Sequence, residues 1–448
     1  MVNISVVSTI AAAVTDYQTF PFDPGFDIQS ILKVTQSLPS HSWEYGTFAE
    51  ALIEIYNPEI SVFGETPFPV PSFAKNDIKA LNYLQPKVVL GTGYTSLAKG
   101  DGAAGDPASM GVGAVLLGKS LPTFATAAEE TVTALLKDTP RFANGAISHR
   151  ADVAELWADF MYMVPPFFAY YAADKTNETL LREAVKQCGL YRDVLQSKSN
   201  DQWNGAWHHI IGPQNQDLGL WSTGNAWAAA GMTRVLATVM KLDWLQSTWK
   251  NQAADQLSLY IKQIVDAVVK APQDGKLLRN YLNDLDQWNG GFGEISGSSL
   301  MAATIYRMAV LRPDTFGQSY IRWADEIRQT LGEKDTQGAA HVTPAGVVTP
   351  AVNPLAWKDP IPYTAGSPEG NSFAVLLYAA WRDCVLAHKC VSPAPGSSLA
   401  PPPATIPRPT TKCPNRRQQV KAKRSLTNRQ RDLARRHIGR RGFHINPH

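Results

Sequence analysis

Four apolar segments with helical periodicity recur along the chain at a nearly constant interval. They begin at residues 153, 224, 297 and 371, which lie 71, 73 and 74 residues apart. Apolar residues recur in each at three- and four-residue steps, and strand-like alternation is scarce. Each of the first three is followed by a more charged, amphipathic segment. A period this steady indicates repeated helical hairpins.

The same pattern extends over most of the first 390 residues. Helices are predicted at 42–56, 72–85, 107–121, 123–138, 153–174, 177–196, 224–241, 246–270, 297–311, 319–332 and 371–385. A helix that is apolar all round must be covered, whereas an amphipathic helix can face water on one side. The apolar members should therefore form an inner ring and the amphipathic members an outer ring. We expect eleven or twelve such helices to close into an all-α (α/α)6 barrel, a six-hairpin toroid.

The composition changes at residue 391, where a Pro- and Ser-rich stretch begins. Residues 408–448 carry 13 Lys and Arg against one acidic residue, which leaves 29 basic and 38 acidic residues in the rest of the chain. We interpret 16–390 as the folded domain and 391–448 as a disordered linker and basic tail. The tail has the charge to contact polyanions, but no nucleic-acid-binding module accompanies it, so no nucleic-acid partner is expected.

The N-terminus and the cysteines give evidence on the cellular location of the protein. Residues 1–15 are apolar with small residues but have no basic start, so they form an imperfect signal-like or disordered segment. No stretch approaches the ~20 apolar residues of a membrane span, and no membrane association is expected. Cys384 and Cys390 bracket a helix end, which favours a local disulfide over two buried thiols. Together these features favour a secreted protein.

Polar and aromatic loops precede the inner helices. They cover residues 139–152, 201–223, 286–296 and 360–370 and are rich in Gly, Trp, His and acidic residues. Because each precedes an inner helix, all should gather at one mouth of the barrel. Functional groups concentrate on loops that a rigid scaffold holds in place. The functional site is therefore predicted at this mouth.

Asp159 is the strongest candidate for a catalytic residue. Within LWADFMYMVPPFF, every neighbour except Ala158 is large and apolar or aromatic. A buried carboxyl group must be paired or protonated, and desolvation raises its pKa toward the range that a general acid needs. The alternative is a core aspartate satisfied by hydrogen bonds. Asp106, which opens another inner helix, is the candidate second carboxylate, and its alternative role is a helix N-cap.

Other polar and aromatic residues are expected to support the two carboxyl groups. Hydrogen-bonding support is expected from His149, Arg150, His209 and Asn225, and stacking surface for sugars from Trp43, Trp157, Trp221 and Trp227. Each of these tryptophans is equally compatible with a place in the core. The His208-His209 pair has no third ligand at a suitable spacing, so no metal site is expected.

Residues 157–166, WADFMYMVPP, resemble the W-x-D-x-x-Y-M-x-x-P signature of glycoside hydrolase family 105. Other stretches agree with the family in order and spacing, and the resemblance covers about residues 43–388. They are 106–118, 139–150, 205–210, 219–232, 292–307 and 367–373. Family members are unsaturated rhamnogalacturonyl and glucuronyl hydrolases that fold as (α/α)6 barrels.

The resemblance implies a distinctive reaction, the removal of a terminal 4,5-unsaturated uronic acid from oligosaccharides that lyases release from pectin or rhamnogalacturonan. It assigns Asp159 to protonate C4 and assist the addition of water at C5, with Asp106 assisting. It also implies that His149 and His209 contact the sugar and that no metal or organic cofactor is needed.

The sequence departs from the family at Thr223, where bacterial members often have an arginine that can bind the uronate carboxylate. A threonine cannot provide this bidentate contact, and Arg150 is the candidate to replace it. A milder departure is Glu294, which stands where an aspartate is more usual.

Two other functions are compatible with the residues. One is an inverting glycosidase that uses Asp106 and Asp159 as acid and base, whose carboxyl groups would lie roughly 6.5–9.5 Å apart. The other is a non-catalytic carbohydrate-binding protein of the cell wall. The sequence makes no prediction of the oligomeric state.

Overall fold

The computed structural model describes residues 19–73, 77–199, 202–285 and 291–391. The chain divides into two units, Met1–Ser398 and Leu399–His448, and all described residues belong to the first. The predictions made for residues 1–15 and for the tail from residue 392 onward lie outside the described residues.

The described residues form hairpins of α-helices. In chain order the helices are α1 (Ile28–Thr35), α2 (Ser42–Tyr56), α3 (Lys79–Leu84), α4 (Gly111–Gly118), α5 (Pro122–Lys137), α6 (Phe160–Lys175), α7 (Glu178–Leu195), α8 (Ser222–Lys241), α9 (Ser247–Val268), α10 (Ile295–Leu311), α11 (Gln318–Gly332) and α12 (Pro368–Leu386). The even-numbered helices are inner and the odd-numbered ones are outer.

The inner helices form a closed ring. Each packs against the next, and α12 packs against α2. The second member of the ring makes much of its contact through a short 3-10 helix, Asp106–Met110, that leads into α4. In α8 and α10 nearly every side chain is buried, whereas α5, α7 and α9 bury one face. This division between fully covered and half-covered helices confirms the predicted (α/α)6 barrel.

Glycines let neighbouring inner helices approach closely. A Cβ atom added at Gly231 of α8 would lie 2.0 Å from the carbonyl oxygen of Met161 in α6. One added at Gly297 of α10 would lie 2.7 Å from the backbone nitrogen of Thr223 in α8. Both distances are far below a normal contact, so the spacing of the ring depends on glycine at these two positions.

A buried ionic network joins inner helices at the end of the ring away from the mouth. Glu54 of α2 contacts Arg234 of α8, and its Oε2 lies 2.6 Å from Arg307 Nη2 of α10. Arg307 also bonds Asp383 of α12, at 2.5 Å. Removing one partner would leave a buried charge uncompensated, which typically costs about 3–5 kcal/mol. The network therefore ties four helices of the ring together.

Several elements differ from the sequence-based expectation, and the helix predicted over 72–85 is found only from Lys79 to Leu84. The helix predicted from residue 153 begins at Phe160, because Leu156–Trp157 (β1) leaves the helical path and pairs antiparallel with Ile210–Ile211 (β2). Helix α1 was not predicted, and it completes the sixth hairpin by packing on α12. A second short ribbon pairs Gln273–Asp274 (β3) with Leu277–Leu278 (β4).

The end of α12 carries a disulfide bond between Cys384 and Cys390. Cys188 is a buried free thiol. No helix among the described residues is both long and apolar enough to cross a bilayer.

Candidate active site

The amino-terminal ends of the inner helices surround a cavity of about 220 Å³. Its wall includes four carboxyl groups and three imidazoles, those of Asp101, Asp106, Asp159, Glu369, His41, His149 and His209. The carboxyl groups of Asp106, Asp159 and Glu369 lie at or near the beginning of an inner helical segment. The cavity is therefore at the mouth that the loop positions predicted.

Asp159 lies at the start of α6, not inside the helix as its apolar neighbours suggested. It occupies the N-cap position, but its carboxyl group makes no capping hydrogen bond. The side chain is 14% exposed, and Oδ2 lies 3.3 Å from Nε2 of His209. This contact has the distance of an ion pair without the alignment of a hydrogen bond. The carboxylate is thus held near the imidazole while remaining open to the cavity.

His209 is held by short backbone pairing and by a second carboxylate. It precedes β2, and its Nδ1 is hydrogen-bonded to Asp217 Oδ2 at 3.1 Å. Burial alone would lower the pKa of the imidazole, but the nearby charge of Asp159 and the charge and hydrogen bond of Asp217 outweigh it, so that the pKa of His209 is raised. The imidazolium form is therefore favoured.

The pKa of Asp106 is raised, although sequence reasoning gave this residue only the assisting role. Burial, followed by the charge of Asp159, raises the pKa of Asp106 to about 8. Its Oδ1 lies 3.5 Å from His149 Nε2. The residue at the cap of its 3-10 helix is Gly105, and the Asp106 carboxyl group makes no capping bond to any described residue. Asp106 therefore holds a proton at neutral pH and is not an N-cap.

His149 packs against the indole of Trp157, with ring centroids 4.8 Å apart and planes 25° from parallel. Burial lowers the pKa of His149 to about 4, so this imidazole is neutral at pH 7. Trp157 is fixed in turn by a hydrogen bond from its Nε1 to Glu155 Oε1 at 2.7 Å. The pKa values of His149 and His209 are therefore shifted in opposite directions, because His209 has carboxylates beside both ring nitrogens.

Arg150 carries the only guanidinium or ammonium group among the described residues that line the cavity. Among the described residues its buried Nε has no hydrogen-bond partner, and its recorded ion pair is a long one, with Nε 3.8 Å from Asp152 Oδ1. Gly102 makes room for it, because a Cβ atom there would lie 2.1 Å from Nη2. The guanidinium is therefore only partly neutralised by the protein.

Two further residues of the wall were missed by sequence reasoning. Glu369, in the first turn of α12, accepts a hydrogen bond from Trp43 Nε1 at 3.0 Å. Burial, followed by the charge of Asp159, raises the pKa of Glu369 well above its usual value and favours the protonated form. Trp357 packs edge-on against Trp157, with centroids 5.4 Å apart. Glu369 could have been predicted as a site residue, because it is an acidic residue at the start of an inner helix. The sequence of the loop that carries Trp357 contains no comparable feature.

The chain matches the family model of Glycosyl Hydrolase Family 88 over residues 119–379, more than half of its length. It belongs to this family. The protein is therefore a glycoside hydrolase, and the cavity described above is its candidate active site.

Solved structures of related folds agree with the family 88 match. The chain is similar to a possible family 105 member from Salmonella enterica serovar Paratyphi A, with 13% identity, a TM-score of 0.60 and coverage of 84% of this chain and 97% of that one. A family 105 hydrolase from C. acetobutylicum gives 16% identity, a TM-score of 0.57 and coverage of 79% and 98%. These similarities confirm the expected six-hairpin fold, and together with the family 88 match they support the expected resemblance to glycoside hydrolase family 105.

A third similar structure is an unsaturated glucuronyl hydrolase specific for heparin, with 13% identity, a TM-score of 0.53 and coverage of 81% of this chain and 97% of that one. No curated protein sequence matches the chain.

Three of the predicted substrate-binding residues do not line the cavity. Thr223 is fully buried, and its hydroxyl bonds Glu294 Oε1 at 3.2 Å. Asn225 holds backbone groups of Trp207 and Trp221. Trp227 lies in the core, between the rings of Tyr162 and Phe373. All three lie inside α8, after its first residue. Their side chains pack against neighbouring elements instead of lining the mouth.

The remaining expected residues, Trp43 and Trp221, do line the cavity. The ring of Trp221 lies 4.4 Å from that of His209, and its Nε1 bonds Asn280 Oδ1 at 2.8 Å. Trp43 stacks at 4.6 Å on His41, another wall residue. Aromatic faces on both sides of the carboxyl groups suit the apolar faces of a sugar ring.

Proposed function

We propose that this family 88 hydrolase removes a terminal 4,5-unsaturated uronic acid from oligosaccharides produced by polysaccharide lyases. The observation that carries the proposal is the pairing of each aspartate with a buried histidine, Asp106 with His149 and Asp159 with His209, around one cavity that also holds Arg150. Fragments of pectin and rhamnogalacturonan are the first substrates to test, because the sequence motifs resemble those of rhamnogalacturonyl hydrolases.

The charge distribution of the cavity supports an anionic sugar as the substrate. The four carboxyl groups of the wall would repel a uronate if all were ionised, but the raised pKa values of Asp106 and Glu369 favour their neutral forms. Arg150 then supplies a positive charge whose fork of N–H groups matches a carboxylate. It takes the part expected of an arginine at position 223, where Thr223 is turned away from the cavity and bonded to Glu294.

The proposed reaction begins with proton transfer from the carboxyl group of Asp159 to C4 of the sugar. The C4=C5 double bond breaks, and the positive charge that develops at C5 is shared with the ring oxygen. Water then adds at C5, which forms a hemiketal, and the proton that the water loses goes to the Asp159 carboxylate. The hemiketal opens to a ketone at C5, and the hemiacetal left at C1 releases the remaining saccharide as an alcohol.

The neighbouring groups have separate tasks in this scheme. Asp106, which holds its own proton up to about pH 8, donates a hydrogen bond to the sugar. The Trp43 and Trp157 rings bind the faces of the sugar. No metal or organic cofactor is required, because the ring oxygen of the substrate stabilises the cationic intermediate. The similar fold of the heparin-specific unsaturated glucuronyl hydrolase supports this class of reaction.

The proposal is tested with a matched pair of disaccharides that differ only in the C4=C5 double bond. Hydration predicts that the unsaturated member loses its ultraviolet absorbance and releases its second sugar, while the saturated member is untouched. An Asp159→Asn variant should lose at least three orders of magnitude in kcat. Cleavage of the saturated member would establish an ordinary glycosidase instead, and binding without turnover of either would indicate a carbohydrate-binding protein.

The part assigned to Arg150 is tested separately with the methyl ester of the unsaturated sugar. The ester removes the substrate's charge but keeps the double bond. We expect Arg150→Gln to raise KM for the free acid at least ten-fold and to leave KM for the ester nearly unchanged. An equal effect on both substrates would show that Arg150 does not bind the carboxylate.

We also propose that the protein is exported. The disulfide between Cys384 and Cys390 supports this, because such bonds persist in oxidising compartments. Recovery of the protein from the medium of producing cells, with the disulfide intact, checks the proposal, and recovery from the cytosol alone would contradict it.

A further inference from the structure

Asp217 is a carboxylate next to the site that neither the motifs nor the proposed reaction uses. It does not line the cavity, and its partners fix it firmly. Oδ2 accepts hydrogen bonds from Tyr281 Oη at 2.5 Å, from Trp357 Nε1 at 3.2 Å and from His209 Nδ1 at 3.1 Å, and Oδ1 accepts the Gly219 N–H at 3.1 Å. These donors stabilise the ionised form, and hydrogen bonding to His209 and Tyr281 overcomes burial and lowers the pKa of Asp217.

The two ring nitrogens of His209 make different kinds of contact. Nδ1 makes the aligned hydrogen bond to Asp217, whereas Nε2 has only the unaligned 3.3 Å contact with Asp159 Oδ2. The first contact fixes the ring and requires a proton on Nδ1, because an ionised carboxylate can only accept. The second leaves Nε2 able to give a proton to Asp159 or to take one from it.

Carboxylates are the charged groups that face His209 directly from the elements packed around it. Asp159 comes from the start of α6 and Asp217 from the loop after β2. The other ring contacts are with uncharged indoles, those of Trp157 before α6, Trp221 before α8 and Trp357 before α12. His149 lies behind Trp157 and is neutral at pH 7. The two carboxylates therefore stabilise the doubly protonated, cationic form of this buried imidazole.

We propose that Asp217 is a positioning residue that keeps His209 as an imidazolium cation and thereby makes it the proton store of Asp159. Nε2 passes its proton to Oδ2 of Asp159, which passes it to C4 of the substrate and becomes a carboxylate. The proton that water releases on adding at C5 goes to Asp159 and returns to Nε2. Over the cycle His209 and Asp159 recover the protons they gave, and the net change is the addition of one water molecule, H to C4 and OH to C5. The catalytic part of this inference rests on the proposed function.

The protonation of His209 can be measured without substrate. In protein labelled with ¹⁵N-histidine, we expect both ring nitrogens of His209 to be protonated at pH 7. In Asp217→Asn, which keeps an acceptor oxygen for Tyr281 and Trp357 but loses the charge, His209 should lose its second proton at a pH at least one unit lower. A wild-type His209 that is neutral at pH 7, or the same titration in both proteins, would overturn the proposal whatever the substrate is.

Kinetics on the unsaturated disaccharide give the second readout. Asp217→Asn should lower kcat at neutral pH at least ten-fold and move the alkaline limb of the kcat profile to lower pH. KM should change less than about three-fold, because Asp217 does not line the cavity. A matched control is Asp266→Asn on α9, since Asp266 also accepts a tyrosine hydroxyl, that of Tyr320, at 2.6 Å but lies on the outer ring. A rise in KM with kcat unchanged would mean that Asp217 only supports the wall.

Discussion

Replacing Asp106 by asparagine should change how the stability of the fold depends on pH. The pKa of this carboxyl group is 3.8 in an exposed chain and is raised to about 8 in the folded protein, first by burial and then by the charge of Asp159. Between these two values the folded protein binds a proton that the unfolded chain releases. The favourable contribution is complete below pH 3.8 and is lost as the pH rises toward 8. Asparagine has nearly the same shape and does not titrate, so the variant should escape this loss.

The expected size follows from the width of the pH window. Each pH unit above the pKa of the unfolded chain lowers the unfolding free energy by about 1.4 kcal/mol. The unfolding free energy of the wild type therefore falls by about 4 kcal/mol between pH 4 and pH 7. The Asp106 side chain is 15% exposed, and solvent screening reduces this figure. We therefore expect Asp106→Asn to gain about 2–4 kcal/mol relative to the wild type over this interval.

Urea unfolding at several pH values from 4 to 8, followed by tryptophan fluorescence, measures the difference in unfolding free energy between the two proteins. Ser109→Ala is a suitable control, because it removes the hydrogen bond from Ser109 Oγ to Ser42 O without removing a titrating group. Its effect should be the same at every pH. A difference between Asp106→Asn and the wild type that stays constant from pH 4 to pH 7 would refute the raised pKa of Asp106.

Three other predictions test the fold and the site. Reducing the Cys384–Cys390 disulfide should lower the unfolding free energy by about 2 kcal/mol in urea titrations, and a variant with alanine at both positions should not respond to reductant. Gly231→Ala should cost about 1–3 kcal/mol by thermal melting, because its Cβ atom would lie 2.0 Å from a backbone oxygen of α6. Gly317→Ala, which has nothing within 4 Å, should cost little, and equal losses would contradict the packing argument. The ring signals of His149 should not shift between pH 5 and pH 8 in NMR spectra, and a titration in that range would show that burial does not keep this imidazole neutral.

The hairpin repeat made most of the fold predictable from the sequence. Inner helices are apolar all round and outer helices are apolar on one face, and both patterns are visible in single segments such as 224–241 and 246–270. Helix α1 was missed because it has only eight residues and completes its hairpin with α12, at the other end of the chain. The start of α6 was misplaced because residues 156–157 pair with a strand more than 50 residues away.

The candidate site was predictable where a residue's own neighbours marked it. Asp159 stands in apolar surroundings, and Asp106, His149 and His209 lie in loops that open inner helices. Asp217 and Trp357 gave no such signal, since their positions beside His209 depend on segments that are distant in sequence. The three misplaced residues, Thr223, Asn225 and Trp227, lie in a conspicuous motif whose polar and aromatic groups serve the packing of α8.

The sequence by itself determined the ring of hairpins, the mouth at which the loops gather and the two aspartates around which the site is built. It could do so because helical periodicity and the cost of burying a charge are local properties of a segment. Only the tertiary structure decided how protons are distributed among the buried groups. Burial and the charge of Asp159 raise the pKa of Asp106, and two carboxylates from different segments raise the pKa of His209. Electrostatic interactions of this kind act across space, so they exist only once the helices have closed into the barrel.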